Sequence, residues 1–245
     1  MPQACTRALV IASETCNEQD KKTLLLTRER GLVRAFAPGA ARMKNRFASM
    51  LEPFSECDFH YYWKEGKDII TLTRGELKRS YFHLVSSPEN HFYFSLMAEV
   101  LIKTTAPNVE DERIYRLLQA MLNCRENKVQ MSFLLLYYLF WIISLQGFMF
   151  QLDHCSSCRG RIADRAWMKD DFLGLLCPAC RQTEKKSLSA RQLELLRWIR
   201  KKRPQENPDL PEPRETDALI RLLATKLSWN CEVEFKACRF LREFQ

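Results

Sequence analysis

Two pairs of closely spaced cysteines constrain the fold of this chain more strongly than any other feature. Cys155 and Cys158 form one C-x₂-C knuckle, Cys177 and Cys180 form a second, and eighteen residues separate the two. This spacing is typical of a four-cysteine zinc site, in which each knuckle supplies two thiolates to one tetrahedral ion and the intervening residues close a hairpin. We therefore predict a Zn²⁺ site within a segment that covers residues 153–182.

Such a site is expected to be structural, and the chain is expected not to be an enzyme. Four cysteine ligands leave no open coordination position at which the ion would activate water. A zinc deaminase needs a His-x-Glu motif, and none of the four histidines has Glu two residues later. Phosphate-loop, dinucleotide-binding and nucleophile-elbow motifs are absent from the sequence as well.

The positive charge of the chain is concentrated in two segments. Residues 21–50, the first cluster, contain eight basic residues and one acidic residue, and residues 181–203, the second cluster, contain nine basic and two acidic residues. The whole chain has a formal net charge of only +8, so the rest of it is acidic. Two basic clusters on an acidic body favour a polyanionic partner such as nucleic acid. Two simpler explanations stay open, namely solvated surfaces and, for Arg159, Arg161 and Arg181, compensation of the zinc thiolates.

The first eighty residues have the pattern of a small β-barrel. Between Phe54 and Trp63 the residues alternate, which places Cys57, Phe59 and Tyr61 on one face of a strand. Closing several short strands into a barrel removes their exposed edges. The predicted strands cover residues 8–12, 23–27, 32–37, 54–63 and 68–73.

From residue 89 onwards the apolar residues recur every three to four positions, which indicates helices. Ser189 and Gln192 have the spacing of a capping box that opens one of these helices. Four prolines between residues 204 and 213 predict an irregular linker. A last helix is expected from Thr216 to Phe244.

The longest apolar stretch covers residues 129–152 and contains no charged residue. Its polar interruptions leave an apolar centre shorter than the roughly 20 residues of a spanning helix. We predict a central helix covered by its neighbours, and a membrane-anchored protein is the less favoured alternative. The predicted class is thus α+β, with a barrel over residues 1–80 and an α-helical domain over residues 81–245 that contains the zinc segment.

Several short runs in a fixed order resemble the RecO family of bacterial recombination and repair mediators. They are TRERGLVRAFAPGAAR at residues 27–42, LEPF at residues 51–54 and TLTRGE at residues 71–76. The resemblance extends over nearly the whole chain, and it implies an OB-fold barrel at the N terminus, binding to single- and double-stranded DNA, and annealing of complementary strands. It also implies work with RecR and the single-strand DNA-binding protein to load RecA, which is thereby an indirect partner.

One loop departs from the family pattern. Many members carry Lys before the Gly of an Ala-Lys-Gly-Ala-Arg run, whereas here Pro38 takes the place of that Lys and Ala41 the place of that Arg. More of the phosphate contacts are therefore expected to fall on Arg42, Lys44 and Arg46. Some relatives lack the four cysteines, so zinc is expected to support the fold locally.

The candidate DNA contacts combine cations that follow phosphates with a ring that stacks on a base. Phe36 lies two residues after Arg34 on the same strand face, although a place in the barrel core is an alternative for this ring. The first cluster contributes the candidates Arg30, Arg34, Phe36, Arg42, Lys44 and Arg46. The second cluster contributes Lys185, Lys186, Arg200, Lys201, Lys202 and Arg203.

The cysteine content and the first residues bear on the compartment. No secretory signal is recognisable in the first sixteen residues, and ten cysteines without an export signal indicate a reducing compartment. We therefore expect a cytoplasmic, nucleoid-associated protein that does not bind membranes. The alternative function is that of a zinc-ribbon RNA-binding or transcription-associated protein, which would recognise RNA through its 2′-OH groups.

Overall fold

The structure is a computed structural model that describes residues 3–63, 66–206, 208 and 210–237. It divides into two compact units, Met1–Leu122 and Asn123–Gln245. Strands dominate the start of the chain and helices the remainder, which confirms the predicted α+β class. The domain boundary near residue 80 stays a prediction.

A closed five-stranded barrel forms most of the first unit. Its strands are hydrogen-bonded in the order β1-β2-β3-β5-β4, and all neighbours are antiparallel except β3 and β5. Each strand overlaps one of the predicted runs, so the predicted barrel is confirmed, although β5 extends seven residues beyond the end of its run. The strands are β1 (Gln3–Thr15), β2 (Lys21–Thr27), β3 (Gly31–Ala37), β4 (Ser55–Tyr62) and β5 (Ile69–Ser80).

The barrel interior is filled by alternate residues of its strands. Val33 and Ala35 of β3 are buried there, as are Cys57, Phe59 and Tyr61 of β4, which share one face as predicted. Because successive side chains of a strand point to opposite faces, the residues between them point outward. The outer surface of β3 is therefore available to Arg34 and Phe36.

Three helices follow the barrel in the chain. They are α1 (Phe82–Val85), α2 (Pro88–Thr104) and α3 (Glu112–Glu126), which begins in this unit. The buried Glu56 carboxylate accepts hydrogen bonds from Tyr115 Oη and Gln119 Nε2, each at 2.6 Å. An ion pair of 2.6 Å joins Arg28 to Glu112. Buried polar groups need such partners, so these contacts hold α3 against β4 and the β2–β3 turn.

The second unit is built around α4 (Met131–Leu145), almost all of whose residues are buried. It packs against α5 (Ala190–Lys201) and α6 (Pro213–Cys231), which confirms the predicted central helix covered by neighbours. The Phe133 ring, for example, lies 5.9 Å from the Trp198 ring of α5. Among the described residues, no helix combines the length and the apolarity needed to cross a bilayer.

Of two local predictions for the second unit, the capping box agrees with the structure and the irregular linker agrees only in part. The capping box is confirmed, because the Ser189 hydroxyl accepts from the Gln192 N–H while the Gln192 side chain accepts from the Ser189 N–H. The linker is not wholly irregular, since Pro204–Glu206 form a short 3₁₀ turn and Pro213 opens α6, where its missing N–H costs no hydrogen bond.

The predicted extension of the last helix towards Phe244 is wrong. Helix α6 ends at Cys231, because Glu232 adopts a left-handed conformation with φ of 54°. The Val233 N–H then turns back to the Ser228 carbonyl at 3.1 Å. Residues 238–244 of the predicted helix lie outside the described residues.

Candidate nucleic-acid interface and cysteine centre

The outer face of β2, β3 and β5 brings cations and apolar groups together. Strand register sets Lys22 opposite Phe36, and Arg34 opposite both Leu24 and Ile69. Lys22, Arg34 and Ile69 are exposed, while Phe36 is half-buried and points away from the barrel core. Lys22, Leu24, Arg34 and Ile69 line a cleft of about 450 Å³. This face offers cations for phosphates beside apolar surface for bases.

A second cleft, of about 370 Å³, lies in the loop that follows β3. Arg42, Lys44 and Arg46 line it with exposed side chains. The Arg46 guanidinium lies 5.2 Å from the centre of the Phe47 ring, and the Arg42 guanidinium donates to the Gln19 side-chain carbonyl. The loop thus holds the three predicted phosphate contacts in one place.

Within the described part of the chain, no carboxylate forms an ion pair with the cations of these two clefts, although Glu14 lines the first cleft and Asp20 the second. Among the described residues, no ion pair involves Lys22, Arg34, Arg42, Lys44 or Arg46. We call these five residues the open cations. Arg30 differs from them, because its guanidinium lies 6.0 Å from the Tyr61 ring and 5.6 Å from the Trp63 ring. It packs on the barrel's own aromatic side chains.

The second cluster makes more internal contacts. Arg200 pairs with Asp153 at 2.9 Å and Lys202 with Glu206 at 3.0 Å. The Lys186 ammonium lies 4.1 Å from the centre of the Phe172 ring. The other candidates of this cluster, Lys185, Lys201 and Arg203, have exposed side chains.

Two further arginines of the second cluster hold the cysteine segment. Arg197 donates to Asp153 Oδ1 at 3.1 Å and to the carbonyls of Leu152 and Ile162 at 3.0 and 2.7 Å. Arg181 lies 4.8 Å from the Trp167 ring and donates to the Glu184 carbonyl. A large part of the cluster's charge therefore serves internal structure.

The four knuckle cysteines come together as predicted. The intervening residues form a hairpin of β6 (Ala166–Met168) and β7 (Leu175–Leu176), and β8 (Ser187–Leu188) flanks β6. All four sulfur atoms lie within 4.8 Å of one another, and the Cys158 and Cys177 sulfurs are 3.8 Å apart. Zinc–sulfur bonds of about 2.3 Å place tetrahedral sulfurs about 3.8 Å apart. The group can hold a metal ion, and its size and soft donors fit zinc.

The electrostatics of the centre also favour a bound cation. Burial opposes ionisation of Cys155, but the N–H groups of Cys158, Cys177 and Ser157 outweigh it and lower the pKa of this thiol to about 6. Hydrogen bonds with Cys158 and Cys177 raise the pKa of Cys180 to about 12. The thiols cannot all ionise side by side without a positive charge among them, and a divalent ion supplies it.

The sequence patterns do not identify two residues of the barrel site. Lys22 lies opposite Phe36 and lines the first cleft, and Asp20 lines the second. A prediction of the register of β2 against β3 would identify Lys22, because antiparallel pairing places this residue on the face of Phe36. No local signal marks Asp20.

Comparison with known proteins covers nearly the whole chain. Residues 1–81 match the family model "Recombination protein O N terminal", an OB-fold domain, and residues 85–237 match "Recombination protein O C terminal". A "DNA repair protein RecO" of Caldanaerobacter subterraneus is 26% identical over 96% of both chains. Proteins of the same name from Dehalococcoides mccartyi and a Nocardioides species are 26% and 28% identical, over 84% and 71% of this chain and 79% and 72% of theirs. The chain belongs to the recombination protein O family, RecO.

Proposed function

We propose that this protein is a DNA repair mediator that binds single- and double-stranded DNA and anneals complementary strands without breaking bonds. Its relatives carry the name of a DNA repair protein. The observation that supports DNA as the ligand is the group of open cations, two of which lie on the same barrel face as Phe36. An OB-fold uses the face of its second and third strands for oligonucleotides. Lys22 and Arg34 lie on these strands, and Arg42, Lys44 and Arg46 lie in the loop that follows β3.

The proposed chemistry is electrostatic. Each open cation that contacts a phosphate releases a condensed counterion, so affinity falls as salt rises. Neutralised phosphates repel a second strand less, which favours annealing. Phe36 adds a ring on which a base stacks without sequence preference.

The cysteine centre is proposed to hold zinc for structural purposes. Cys155, Cys158, Cys177 and Cys180 would fill all four positions of a tetrahedral ion, so no open position remains for chemistry. The hairpin between the knuckles has strands of only two and three residues. Such a small sheet needs an additional crosslink for its stability.

The proposed setting follows the family. RecR and the single-strand DNA-binding protein are the expected partners, RecA is the recombinase whose loading they assist, and the cytoplasm with its nucleoid is the expected location. No catalytic step is assigned to any residue.

The decisive experiment is annealing of complementary strands coated with single-strand DNA-binding protein. We expect the protein to accelerate annealing, and we expect the triple variant Arg42→Ala, Lys44→Ala, Arg46→Ala to lose most of that acceleration. The matched control removes three exposed arginines elsewhere, through Arg113→Ala, Arg116→Ala and Arg214→Ala. No acceleration by the native protein rejects the annealing proposal, and tighter binding to an RNA oligomer than to DNA of the same sequence supports the RNA-binding alternative.

A further inference from the structure

The loop that carries Arg42, Lys44 and Arg46 is held by the neighbouring β1–β2 loop. Asp20 Oδ1 accepts the Gly39 N–H at 2.7 Å, and the Gln19 carbonyl accepts the Ala41 N–H at 2.9 Å. Gly39 has φ of 74°, and the Ala40 N–H bonds to the Ala37 carbonyl. With Pro at its second position and Gly at its third, this is the chemistry of a type II turn. Asp20 therefore contacts the turn at its tightest residue.

Asp20 is itself held in place by Asn17. The Asn17 Oδ1 atom accepts the N–H groups of Gln19 and Asp20 at 2.9 and 2.7 Å. The Asn17 amide nitrogen in turn donates to Asp20 Oδ2 at 2.9 Å. Both carboxylate oxygens thus have a donor, and the hydrogen bond from Gly39 lowers the pKa of Asp20.

This carboxylate lines the same cleft as three cations that we assign to phosphate binding. By Coulomb's law alone, a negative charge there weakens attraction to DNA, and its removal should strengthen binding. The geometry gives it a different effect. Without the Asp20 acceptor the Gly39 N–H loses its partner, and the loop loses one of the three hydrogen bonds that join it to the β1–β2 loop among the described residues.

We propose that Asp20 is a positioning residue for DNA binding, which orders the loop of residues 38–46 so that Arg42, Lys44 and Arg46 face one cleft. The inference rests on the proposed function of these cations. If the loop is already ordered before DNA binds, less conformational entropy is lost on binding. The DNA affinity gained by ordering the loop exceeds the DNA affinity lost to repulsion between the Asp20 carboxylate and the phosphates.

The test exploits the opposite signs of the two effects. Asp20→Ala removes both the charge and the acceptor. Glu18→Ala removes an exposed carboxylate of the same loop that, in the described part of the chain, forms no ion pair with residues 38–46. We expect Asp20→Ala to bind a fluorescent single-stranded oligonucleotide roughly three- to tenfold more weakly, the size of one typical intramolecular hydrogen bond. Glu18→Ala should bind as tightly as the native protein or more tightly.

Two further variants separate position from charge. Asp20→Asn keeps an oxygen for the Gly39 N–H, so its affinity should return to that of the native protein or exceed it. Asn17→Ala changes no charge and loosens Asp20, so it should weaken binding and also reduce the dependence of log Kd on log salt. Tighter binding by Asp20→Ala, parallel to Glu18→Ala, overturns the inference.

The same measurements distinguish failure of this inference from failure of the proposed function. If the triple variant of Arg42, Lys44 and Arg46 binds like the native protein, the loop does not bind DNA and the proposed function of these cations fails. If the triple variant binds DNA weakly while Asp20→Ala binds it tightly, the cations bind DNA and only the positioning role of Asp20 is rejected.

Discussion

The two basic clusters have similar charge in the sequence but different surroundings in the structure. On the barrel, the open cations make no ion pair among the described residues. In the second cluster, Arg200 and Lys202 pair with Asp153 and Glu206, and Arg197 holds the backbone beside the first knuckle. Equal charge therefore does not mean equal capacity for a polyanion.

The difference has a direct physical consequence. A cation that already faces a carboxylate must give up that contact or share it before it binds a phosphate. A cation without a carboxylate partner exchanges hydration and counterions for the phosphate. We therefore expect the barrel to provide most of the DNA affinity and the second cluster mainly to stabilise its own unit.

The largest expected effect is on the stability of the second unit, which contains the second cluster. Removal of the proposed zinc ion, or Cys158→Ser, should lower the free energy of unfolding of the second unit by several kcal/mol, because structural zinc supplies ~10–16 kcal/mol in small peptides. Calorimetry measures this loss. Cys5→Ser, at another exposed cysteine, is the matched control and should leave the transition unchanged.

Binding by the metal-depleted protein sharpens the comparison. Single-stranded DNA should still bind to the barrel, since all open cations belong to the first unit. Loss of DNA affinity in parallel with zinc would show that the second cluster carries the binding instead.

The next effect concerns the salt dependence of DNA binding. The triple variant Arg42→Ala, Lys44→Ala, Arg46→Ala should weaken binding roughly tenfold at low salt and reduce the slope of log K against log salt by about 2, the value for three contacts to a single strand. Fluorescence anisotropy over a salt series measures both quantities. An unchanged slope would remove these residues from the interface.

Phe36 provides a smaller effect of another kind. Phe36→Ala should weaken single-strand binding by about 1–3 kcal/mol, the usual worth of a stacked base, with little change in salt slope. The control is Phe82→Ala, which removes an exposed ring of the same unit. If Phe36→Ala destabilises the barrel and leaves affinity intact, Phe36 is a core residue.

Sequence patterns located the strands and the cysteine centre because both depend on short-range spacing. Alternation over a strand predicts which face is buried, and the outward direction of Arg34 and Phe36 follows from it. The two knuckles likewise need only a hairpin between them to meet.

Sequence patterns do not predict contacts between segments that are far apart in the chain. Nothing near Arg200 indicates that Asp153, from the other side of the cysteine segment, neutralises it. The hydrogen bond that the Gly39 N–H donates to Asp20 joins two loops on either side of β2 and β3. The sequence does not predict the end of α6, because Glu232 adopts positive φ, a conformation that is uncommon for this residue type.

The smallest expected effect is the most direct test of the comparison between clusters. Arg200→Ala with Lys202→Ala removes two positive charges that already face carboxylates, so DNA affinity should change by less than about twofold. Lys22→Ala with Arg34→Ala removes the same charge from the barrel, where no carboxylate pairs with either side chain among the described residues, and should weaken binding several-fold. Because the two variants have identical net charge, long-range attraction cancels between them. Equal losses would mean that total charge governs binding, whereas unequal losses would mean that pairing within the protein decides which cations reach the DNA.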